Sequence, residues 1–495
     1  MAVEQALQFN RFEIISNVDD KIIDLRAGTP RFEYRESVFS PYVEVTAYLV
    51  DTGNTVPHDD GSDSTIGLLE GGYCQGTEKV LFSVQDKNGF KVNLGNIEDE
   101  NDLRLSSVTN IKQSFQNQTY KVTAVSREAF DNTLLDNRCR KQYSGKISDI
   151  VKTVLKQDLK SPNGTRLSID ETLNEYHGFG NERYPFEMIL DLQQLAIPDL
   201  QTSAGKNSLG QTAGYLFWKT ADNYGGMYHF RSLDELFDQN NIPRKPIKKF
   251  IENKKAQSGV SGYDGKILFS LMHRSIDALA DFESGARGSR IEVFNEVTKT
   301  YIPYELTASD KGNGILAGKH LPIFNEEYDG RMTGIQRTRA AVGQTVKGNE
   351  TIESQVEKTD QPNYEVQNIF QQAHQSYRQK MNVSVEIVIA ADLSLHAGDL
   401  VFCEFEEMTT AKTVRRSFRD SGIYMIADLC HYGDGTKAFT GLNLVRGSYG
   451  IPTNSQTYDE LYNSLDEFNA YDGSLEDSQI KWDSLADPYE GIWTL

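Results

Sequence analysis

The sequence predicts a mainly β protein that carries helical insertions. Two separated regions place apolar residues at every second position, the pattern of strands with one buried face. Between these regions lies a stretch in which apolar residues recur at helical spacing. The chain has 495 residues, of which 38% are hydrophobic, so we expect three or four packed units rather than one domain.

The first β unit is predicted over residues 1–130. Apolar and polar residues alternate through 43–50, and two more alternating runs flank an Asn-Gly pair at 88–89. Asn-Gly between alternating runs indicates a hairpin, because both residues tolerate positive φ. A stretch rich in Gly, Asp and Ser at 52–76 predicts a long loop, and a further strand is expected at 120–125.

Residues 131–210 are predicted to form a mainly helical unit. A first helix follows Ser144, a plausible cap, and a second begins near Pro185 and stops before Pro198. The apolar face of the first helix has the spacing of a buried stripe: Ile147, Ile150, Val151, Val154, Leu155 and Leu159.

The remainder of the chain returns to β structure in two places. Residues 211–237 read as a hairpin, and 380–450 contain several strands that begin with a clean alternation. Residues 238–379 between them are predicted to be an inserted domain of strands and loops, closed by a helix near 366–377. A polar stretch at 331–363 within the insertion predicts an extended arm.

The net charge of −20 is unevenly distributed along the chain. Residues 451–495 hold ten acidic side chains and one lysine, which is close to half of the total. Residues 244–255 form a local basic cluster, which predicts either a solvated loop or a docking patch for an acidic partner. An overall negative charge argues against a protein that grips nucleic acid along its backbone.

No catalytic or metal-binding motif is present, so the sequence predicts no enzyme, no metal and no cofactor. A Walker loop, a GxSxG elbow and an HExxH helix are absent, and the eight histidines occur singly. The four cysteines are far apart, which predicts buried free thiols rather than a disulfide framework or a zinc site. The run at 59–70 resembles a calcium loop but has Gly61 and Ser64 at the positions of a ligand and of the required glycine.

No segment of the sequence reads as a membrane span or a secretory signal. No run approaches 18 apolar residues, and the N-terminus lacks basic and apolar signal regions. We therefore expect the protein to fold in a cytoplasm.

The acidic C-terminal segment, residues 451–495, is predicted to contact a partner. It interleaves its charges with aromatic residues and contains two of the three tryptophans of the chain. Rings that fill pockets and carboxylates that meet a basic rim suit a segment that becomes ordered on a partner; the alternative is that it folds back on its own chain. The aromatic residues expected to make this contact are Phe468, Trp482, Tyr489 and Trp493.

Seven short motifs in a fixed order resemble the central hub of contractile-tail baseplates in T-even-like phages, over most of residues 30–450. The N-terminal and central motifs are 34–41 (YRESVFSP), 76–80 (GTEKV), 143–150 (YSGKISDI), 184–187 (YPFE), 214–234 and 293–301. The C-terminal motif is the best match and runs through 395–401 (LHAGDLV), 421–426 (SGIYMI), His431 and 444–450 (LVRGSYG). The loop at 52–76, the arm and the acidic segment are longer than this family leads us to expect.

The resemblance implies two tube-type antiparallel β-barrel domains per chain, one at 1–130 and a discontinuous one at 211–237 with 380–450. Three chains would then form a ring of pseudo-six-fold symmetry. The ring would join the tail tube, or a tube-initiator protein, to a separate spike protein, with wedge proteins as further neighbours. DNA would pass through an acidic lumen of this homotrimer.

These features imply a structural virion protein of the tail baseplate, assembled in the host cytoplasm. Three other functions stay open on the sequence. They are the hub of a related contractile injection system, a tail-associated cell-wall hydrolase, and a cell-surface binding module.

Overall fold

The structure is a computed structural model. It describes residues 7–57, 64–96, 101–115, 117–162, 165–199, 213–237, 248–252, 265–274, 277–283, 285, 288–295, 300–307, 325, 327–328, 331, 334–340, 366–408, 416–417, 419–434 and 437–447.

Strands in the first half of the chain are β1 Gln8–Ile15, β2 Ile22–Asp24, β3 Arg31–Ser37, β4 Glu44–Asp51, β5 Val56–Pro57, β6 Thr65–Ile66, β7 Lys79–Gln85, β8 Lys91–Asn96, β9 Asn101–Gln113, β10 Gln118–Ser126, β11 Gln142–Lys146, β12 Arg166–Ile169, β13 Glu175–Phe179, β14 Tyr215–Asp222 and β15 Gly225–Ser232. Strands in the second half are β16 Lys248–Glu252, β17 Lys266–Ile267, β18 Phe269–Arg274, β19 Gly288–Asn295, β20 Thr300–Thr307, β21 Gly334–Ala340, β22 Val383–Ala390, β23 Leu400–Glu404, β24 Gly422–Asp434 and β25 Lys437–Arg446. Helices are α1 Arg127–Asp131, α2 Ile147–Thr153, α3 Pro185–Gln193, α4 Leu233–Phe237, α5 Ala278–Glu283 and α6 Val366–Lys380.

Fifteen of these strands belong to one sheet, which confirms the mainly β prediction. The sheet divides into two units by its cores. The first β unit comprises β1–β4 and β7–β10, and it curls around one apolar core. The second β unit comprises β16–β18 and β22–β25 around a separate core. Alternating apolar and polar residues give the strands of both units one buried face. Along β22, every second residue is buried, as the sequence predicts.

The second β unit closes on itself through strand pairing. Around it run β16, β23, β24, β25, β22 and β18, and β17 returns to β16. The predicted all-antiparallel barrel is wrong at one strand, because β16 lies parallel to both of its neighbours. A parallel neighbour requires a crossover rather than a hairpin, and the chain enters β16 from the helical unit. In the first β unit, the described part of the chain shows no pairing between β2 and β3.

The helical unit is more mixed than predicted. The helix over 147–153 continues as one wider π turn through Val154–Asp158, and α3 begins at Pro185 as expected. Short strands β11–β13 lie in the same unit, and Ser144 belongs to β11 rather than capping α2. The Ser144 hydroxyl instead contacts His177 Nδ1 at 2.8 Å.

The hairpin β14–β15 lies outside the second β unit, contrary to the prediction for residues 211–237. Its strands hydrogen-bond to each other and to β12. Both of its faces are apolar, so the hairpin is sandwiched: one face packs in the helical core and the other packs on the second β unit. Conversely, β16–β18 belong to the second β unit, although the sequence placed them in the insertion.

The insertion contains a separate three-stranded sheet in the order β20-β19-β21. Strand β21 covers 334–340, so this part of the predicted polar arm at 331–363 pairs as a strand. The rest of the arm, apart from residue 331, lies outside the described residues. Within the part of the chain that the structure covers, no helix is long and apolar enough to cross a membrane.

A buried ion pair fastens α1, which follows β10 of the first β unit, to the hairpin β14–β15. Lys219 Nζ on β14 lies 2.7 Å from both carboxylate oxygens of Glu128 on α1, and both side chains are almost fully buried. The Lys219 ammonium also lies over the Tyr228 ring at 5.2 Å. Each charge depends on the other here, since neither can be solvated.

The two β units are joined edge to edge by β3 and β24. The seam is antiparallel and pairs residues 31–37 with 428–434. Behind it, the Tyr34 and His431 rings stack with centroids 5.9 Å apart, and both are fully buried. The seam therefore joins two units with separate cores into one continuous sheet.

One carboxylate holds three parts of the chain together behind this seam. Glu36 on β3 accepts hydrogen bonds from Tyr34 Oη at 2.6 Å, from the Ala221 amide at 3.0 Å and from the Ala397 amide at 3.0 Å. His396 Nδ1 lies 3.2 Å from the same carboxylate. Glu36 thus joins the first β unit, the hairpin and the loop 391–399, which we name the keystone loop.

The keystone loop is anchored at further points along its length. The Leu393 amide donates to Asp86 of the first β unit at 3.1 Å, and the Trp218 indole donates to the Ala397 carbonyl at 2.9 Å. Gly398 has φ +89°, and a Cβ there would lie 2.4 Å from the Trp218 ring. Only glycine satisfies both the backbone conformation and this close approach.

Burial of Glu36 by itself would raise its pKa. The charge of His396 and the hydrogen bonds from His396, Tyr34 and Ala221 outweigh burial and lower the pKa to about 2. The folded pKa lies below the ordinary value of 4.5. The ionised carboxylate therefore stabilises the fold above pH 4.5, and this contribution is lost as the pH falls towards 2.

Replacing Glu128 by alanine should leave the Lys219 charge buried without a partner. We expect the free energy of unfolding to fall by about 3–5 kcal/mol, measured by denaturant titration. The control is Asp149→Ala, which breaks the exposed Asp149–Lys152 pair and should cost less than about 1 kcal/mol. Equal losses in the free energy of unfolding would show that the buried Lys219–Glu128 pair contributes no more than the exposed Asp149–Lys152 pair.

Glu36→Gln should lower the free energy of unfolding at pH 7 by about 2 kcal/mol, since a charge-assisted contact is lost. The difference from the wild type should shrink as the pH falls from 4.5 to 2. The matched control is Glu386→Gln, because Glu386 also pairs with a histidine, His273, but at the surface. Unfolding curves at several pH values measure both, and a pH-independent Glu36→Gln effect would contradict the assignment.

Candidate functional site

Eight strands of the large sheet form a continuous strip across both β units. Their order is β9-β10-β4-β3-β24-β25-β22-β18, with four strands from each unit. Every neighbouring pair in the strip is antiparallel. One face of the strip covers the two cores, and we name the other face the outer face.

Aromatic and arginine side chains form a row across the seam on the outer face. The Arg31 guanidinium lies 5.0 Å from the Tyr48 ring centroid and 4.6 Å from that of Tyr432. Tyr432 in turn stacks with Phe439 on β25, with centroids 6.3 Å apart. Because these residues come from β4, β3, β24 and β25, the row stiffens the joint between the two β units.

The charges beside this row largely neutralise one another. Glu33 accepts from Arg31 at 2.5 Å and from Arg35 at 2.6 Å. Burial raises the pKa of Glu33, but the hydrogen bonds from Arg35 and Arg31 outweigh it and lower the pKa below its usual value. The centre of the outer face therefore carries both signs of charge rather than a purely acidic surface.

A polar cleft of about 490 Å³ opens on the outer face at one end of the seam. Its floor is a hydrogen-bonded set in which Asn443 Nδ2 and the Ser37 hydroxyl donate to Asp428. Arg35 lies on one wall and the His273–Glu386 pair on the other. Each of these residues makes a hydrogen bond or an ion pair within the chain, although Asn443 Oδ1 is buried without a partner.

The structure gathers three histidines that the sequence shows only as isolated residues. His396 contacts Glu36, His431 stacks on Tyr34, and His229 stacks on Trp218 at 4.7 Å. Burial lowers the pKa of His229 to about 3 and that of His431 to about 4, so both are neutral at pH 7. Across the described ranges, no group of three or more His, Cys, Asp or Glu side chains could hold a metal ion.

The four cysteines are free, as predicted, and two of them are fully buried. Cys139 and Cys403 lie in the cores, whereas Cys74 and Cys430 are half-buried. Burial raises the pKa of the Cys74 thiol to about 12 and also raises that of Cys430. High thiol pKa values indicate structural rather than reactive cysteines.

Part of the predicted basic cluster has a structural role that its sequence does not reveal. Lys248 lies 2.5 Å from Asp392 at the start of the keystone loop, and Lys249 lies 2.8 Å from Glu404. Both lysines stand on β16, so they neutralise acids of their own unit rather than belonging to a solvated loop or a docking patch. Residues 244–247 and 253–255 lie outside the described residues.

The residues predicted to contact a partner lie outside the described residues. These are Phe468, Trp482, Tyr489 and Trp493, so their contact with a partner stays a prediction.

The far edge of the strip at β9 is not evident from the sequence. Over 106–113, β9 has no partner on this edge among the described strands. A long exposed edge of this kind is usually covered or blocked in proteins that act alone. At the other end of the strip, one residue separates β18 from β17, and β17 pairs with β16, so the second β unit closes there.

Comparison with known proteins found similarity at the level of solved structures. No family model matches the chain, and no curated protein matches it. A 43 kDa prophage MuSo2 tail protein from Shewanella oneidensis is 9% identical, with a TM-score of 0.44 over 88% of this chain and 98% of that one. A tail protein from Neisseria meningitidis MC58 is 9% identical, with a TM-score of 0.45 over 89% and 99%.

A component of the E. coli type VI secretion system, described as structurally similar to phage T4 tail proteins gp27 and gp5, is 8% identical. Its TM-score is 0.38 over 90% of this chain and 79% of that one.

Proposed function

We propose that this chain is a structural hub subunit of a contractile phage-tail baseplate, joining the tail tube to a central spike. The observation that carries the proposal is the eight-stranded strip. Two β units of one chain each contribute four antiparallel strands to it, and the seam is held by side chains from both. A chain with two β units suits an adaptor between a six-fold tube and a three-fold spike, because three chains then supply six units.

In this assembly the chain is a homotrimer with pseudo-six-fold symmetry. Its partners are a separate spike protein, a tail-tube or tube-initiator protein and wedge proteins of the baseplate. The protein resides in the virion tail after assembly in the host cytoplasm. The order of motifs supports this proposal. So does a fold whose described parts are joined by buried hydrogen bonds to Glu36 and by the buried Lys219–Glu128 ion pair.

The outer face is the surface that we propose to line the DNA channel. Neutralised arginines at its centre and the net charge of −20 both disfavour tight binding of phosphates. A channel wall of this kind lets DNA pass without adhering. We therefore propose that the lumen is not uniformly acidic. The protein as a whole is acidic, but positive and negative charges balance at the seam.

Two alternatives remain distinguishable by simple observations. The hub of another contractile injection system has the same requirements for ring formation, and the neighbouring subunits would separate the two. A tail-associated cell-wall hydrolase requires a catalytic site, and the sequence contains no catalytic motif. A turbidity assay on purified cell walls tests it, with no clearing expected from the isolated chain.

The purified chain should form a trimer at micromolar concentration, with or without the spike protein, because three pairs of β units complete the ring. Light scattering coupled to size exclusion measures the mass, and negative-stain imaging should show six lobes. A chain that stays monomeric even with the spike protein present would count heavily against the hub.

Deleting residues 452–495 should leave a folded trimer that binds its neighbouring subunit less tightly. The reason is that Phe468, Trp482, Tyr489 and Trp493 are proposed to enter pockets on that neighbour. Added salt should weaken the full-length complex more than the truncated one, as titration calorimetry would record. A truncated chain that melts early or fails to form trimers would assign the segment to the core instead.

A further inference from the structure

Two neighbouring segments of the helical unit, 134–142 and 179–184, present apolar side chains to solvent. The Cys139 amide donates to the Arg183 carbonyl at 3.0 Å, and β11 and β13 continue the same antiparallel pairing. We name these two segments the anchor surface. Large exposed side chains gathered on adjoining segments favour an interaction site. Those of the anchor surface are Leu134 (51% exposed), Leu135 (64%), Phe179 (60%) and Tyr184 (37%).

The anchor surface is not acidic, although the chain as a whole carries a net charge of −20. Its two segments contain four cations and two acids, which gives a net charge of +2. The Arg138 guanidinium lies 3.3 Å from the Tyr184 ring centroid, and no carboxylate among the described residues pairs with it. The anchor surface can therefore receive an acidic segment, with Arg138 as the contact for a carboxylate. The other three cations each pair with an acid: Arg140 with Glu182, Lys141 with Asp158, and Arg183 with Asp191.

The first part of the acidic C-terminal segment has the matching chemistry. Within 458–467 there are four acidic residues and no basic one. Apolar residues recur there at helical spacing, at Tyr458, Leu461, Tyr462 and Leu465. A row of apolar side chains flanked by carboxylates suits a surface of exposed leucines beside an arginine. This stretch precedes Phe468, so it is separate from the aromatic residues proposed to contact a neighbouring subunit.

The last described residue, Gly447, lies close enough to the helical unit for this stretch to reach the anchor surface. A Cβ on Gly447 would lie 3.0 Å from the Gln379 carbonyl oxygen, at the C-terminal end of α6. On the same helix, the Tyr377 hydroxyl lies 3.5 Å from the Gln193 carbonyl, at the C-terminal end of α3. The anchor surface adjoins the opposite end of α3, about 14 Å away. The eleven steps from Gly447 to Tyr458 can span about 36 Å.

We infer that residues 458–467 dock on the anchor surface of their own chain. The apolar side chains of 458–465 cover Leu135 and Phe179, and a carboxylate meets Arg138. Because both partners belong to one chain, the effective concentration is about millimolar, and a contact of modest affinity is sufficient. The rest of the acidic segment is then presented from the helical unit. The inference goes beyond the proposed hub function, since the contact needs no other subunit.

Hydrogen exchange of the full-length chain, read by mass spectrometry, tests the contact. In the wild type, the amides of 458–467 should exchange about tenfold more slowly, or slower still, than those of an unstructured peptide of the same sequence. Phe179→Asp places a charge in the anchor surface and should remove most of this protection. Phe115→Asp is the matched control, because Phe115 is fully exposed at the tip of the β9–β10 hairpin, remote from α1. It should leave the protection of 458–467 unchanged.

Leu135→Asp is a second anchor-surface variant that lies outside every strand, so it tests the contact even if Phe179→Asp disturbs β13. It should also remove most of the protection of 458–467. The melting temperature of each variant shows whether the chain remains folded.

A cross-linking experiment tests the same contact without changing an apolar residue. Asp136→Cys combined with Ser464→Cys should give a link within one chain when treated with a short bis-maleimide reagent. The product keeps the mass of one chain on a denaturing gel, and mass spectrometry identifies the linked peptides. The two single-cysteine variants control for reaction of the four native thiols.

The outcomes separate this inference from the proposed function. Exchange of 458–467 at the unstructured rate in the wild type would overturn the docking. So would protection that persists in both anchor-surface variants, or protection that Phe115→Asp also removes. Links found only between chains, as dimers on the gel, would contradict docking on the same chain. A wild-type chain that is monomeric under all conditions would overturn the hub function and leave the docking standing.

Discussion

The architecture depends on one buried carboxylate. Glu36 accepts hydrogen bonds from its own strand, from the hairpin β14–β15 and from the keystone loop of the second β unit. An ionised group without solvent must have all its oxygens satisfied, so these three segments can only meet in one arrangement. Removing any one of these segments leaves the buried Glu36 charge without one of its hydrogen-bond donors. The position of the β units relative to the hairpin is thereby fixed more narrowly than apolar contacts alone could achieve.

The strip follows from that constraint. Strands β3 and β24 pair at the edge of two separately folded cores, and edge pairing alone would permit slippage or hinge motion. The Tyr34–His431 stack, the Glu36 contacts behind the seam and the Arg31 row in front of it hold both faces of the joint. A rigid seam fixes the two β units relative to each other, as the proposed hub function requires.

Hydrogen bonds and ion pairs recur where separate units of the described chain meet. Lys219–Glu128 joins the hairpin to α1, the Asp86 carboxylate holds the Leu393 amide, and Lys248 holds Asp392. Such contacts add specificity more than stability, because desolvation offsets much of their attraction. Their distribution favours one fixed arrangement of these units relative to one another.

The sequence by itself determined the elements whose pattern is local. Alternation at 383–389 gave β22 and proline at 185 marked the start of α3, because each depends only on neighbours along the chain. It also determined that no catalytic motif is present. Only the tertiary structure decided which sheet each strand joined: the hairpin β14–β15, apolar on both faces, pairs with β12, and the basic strand β16 enters the second barrel. Strand pairing and the meeting of Glu36 with His396 join residues hundreds of positions apart, and no local pattern encodes such distances.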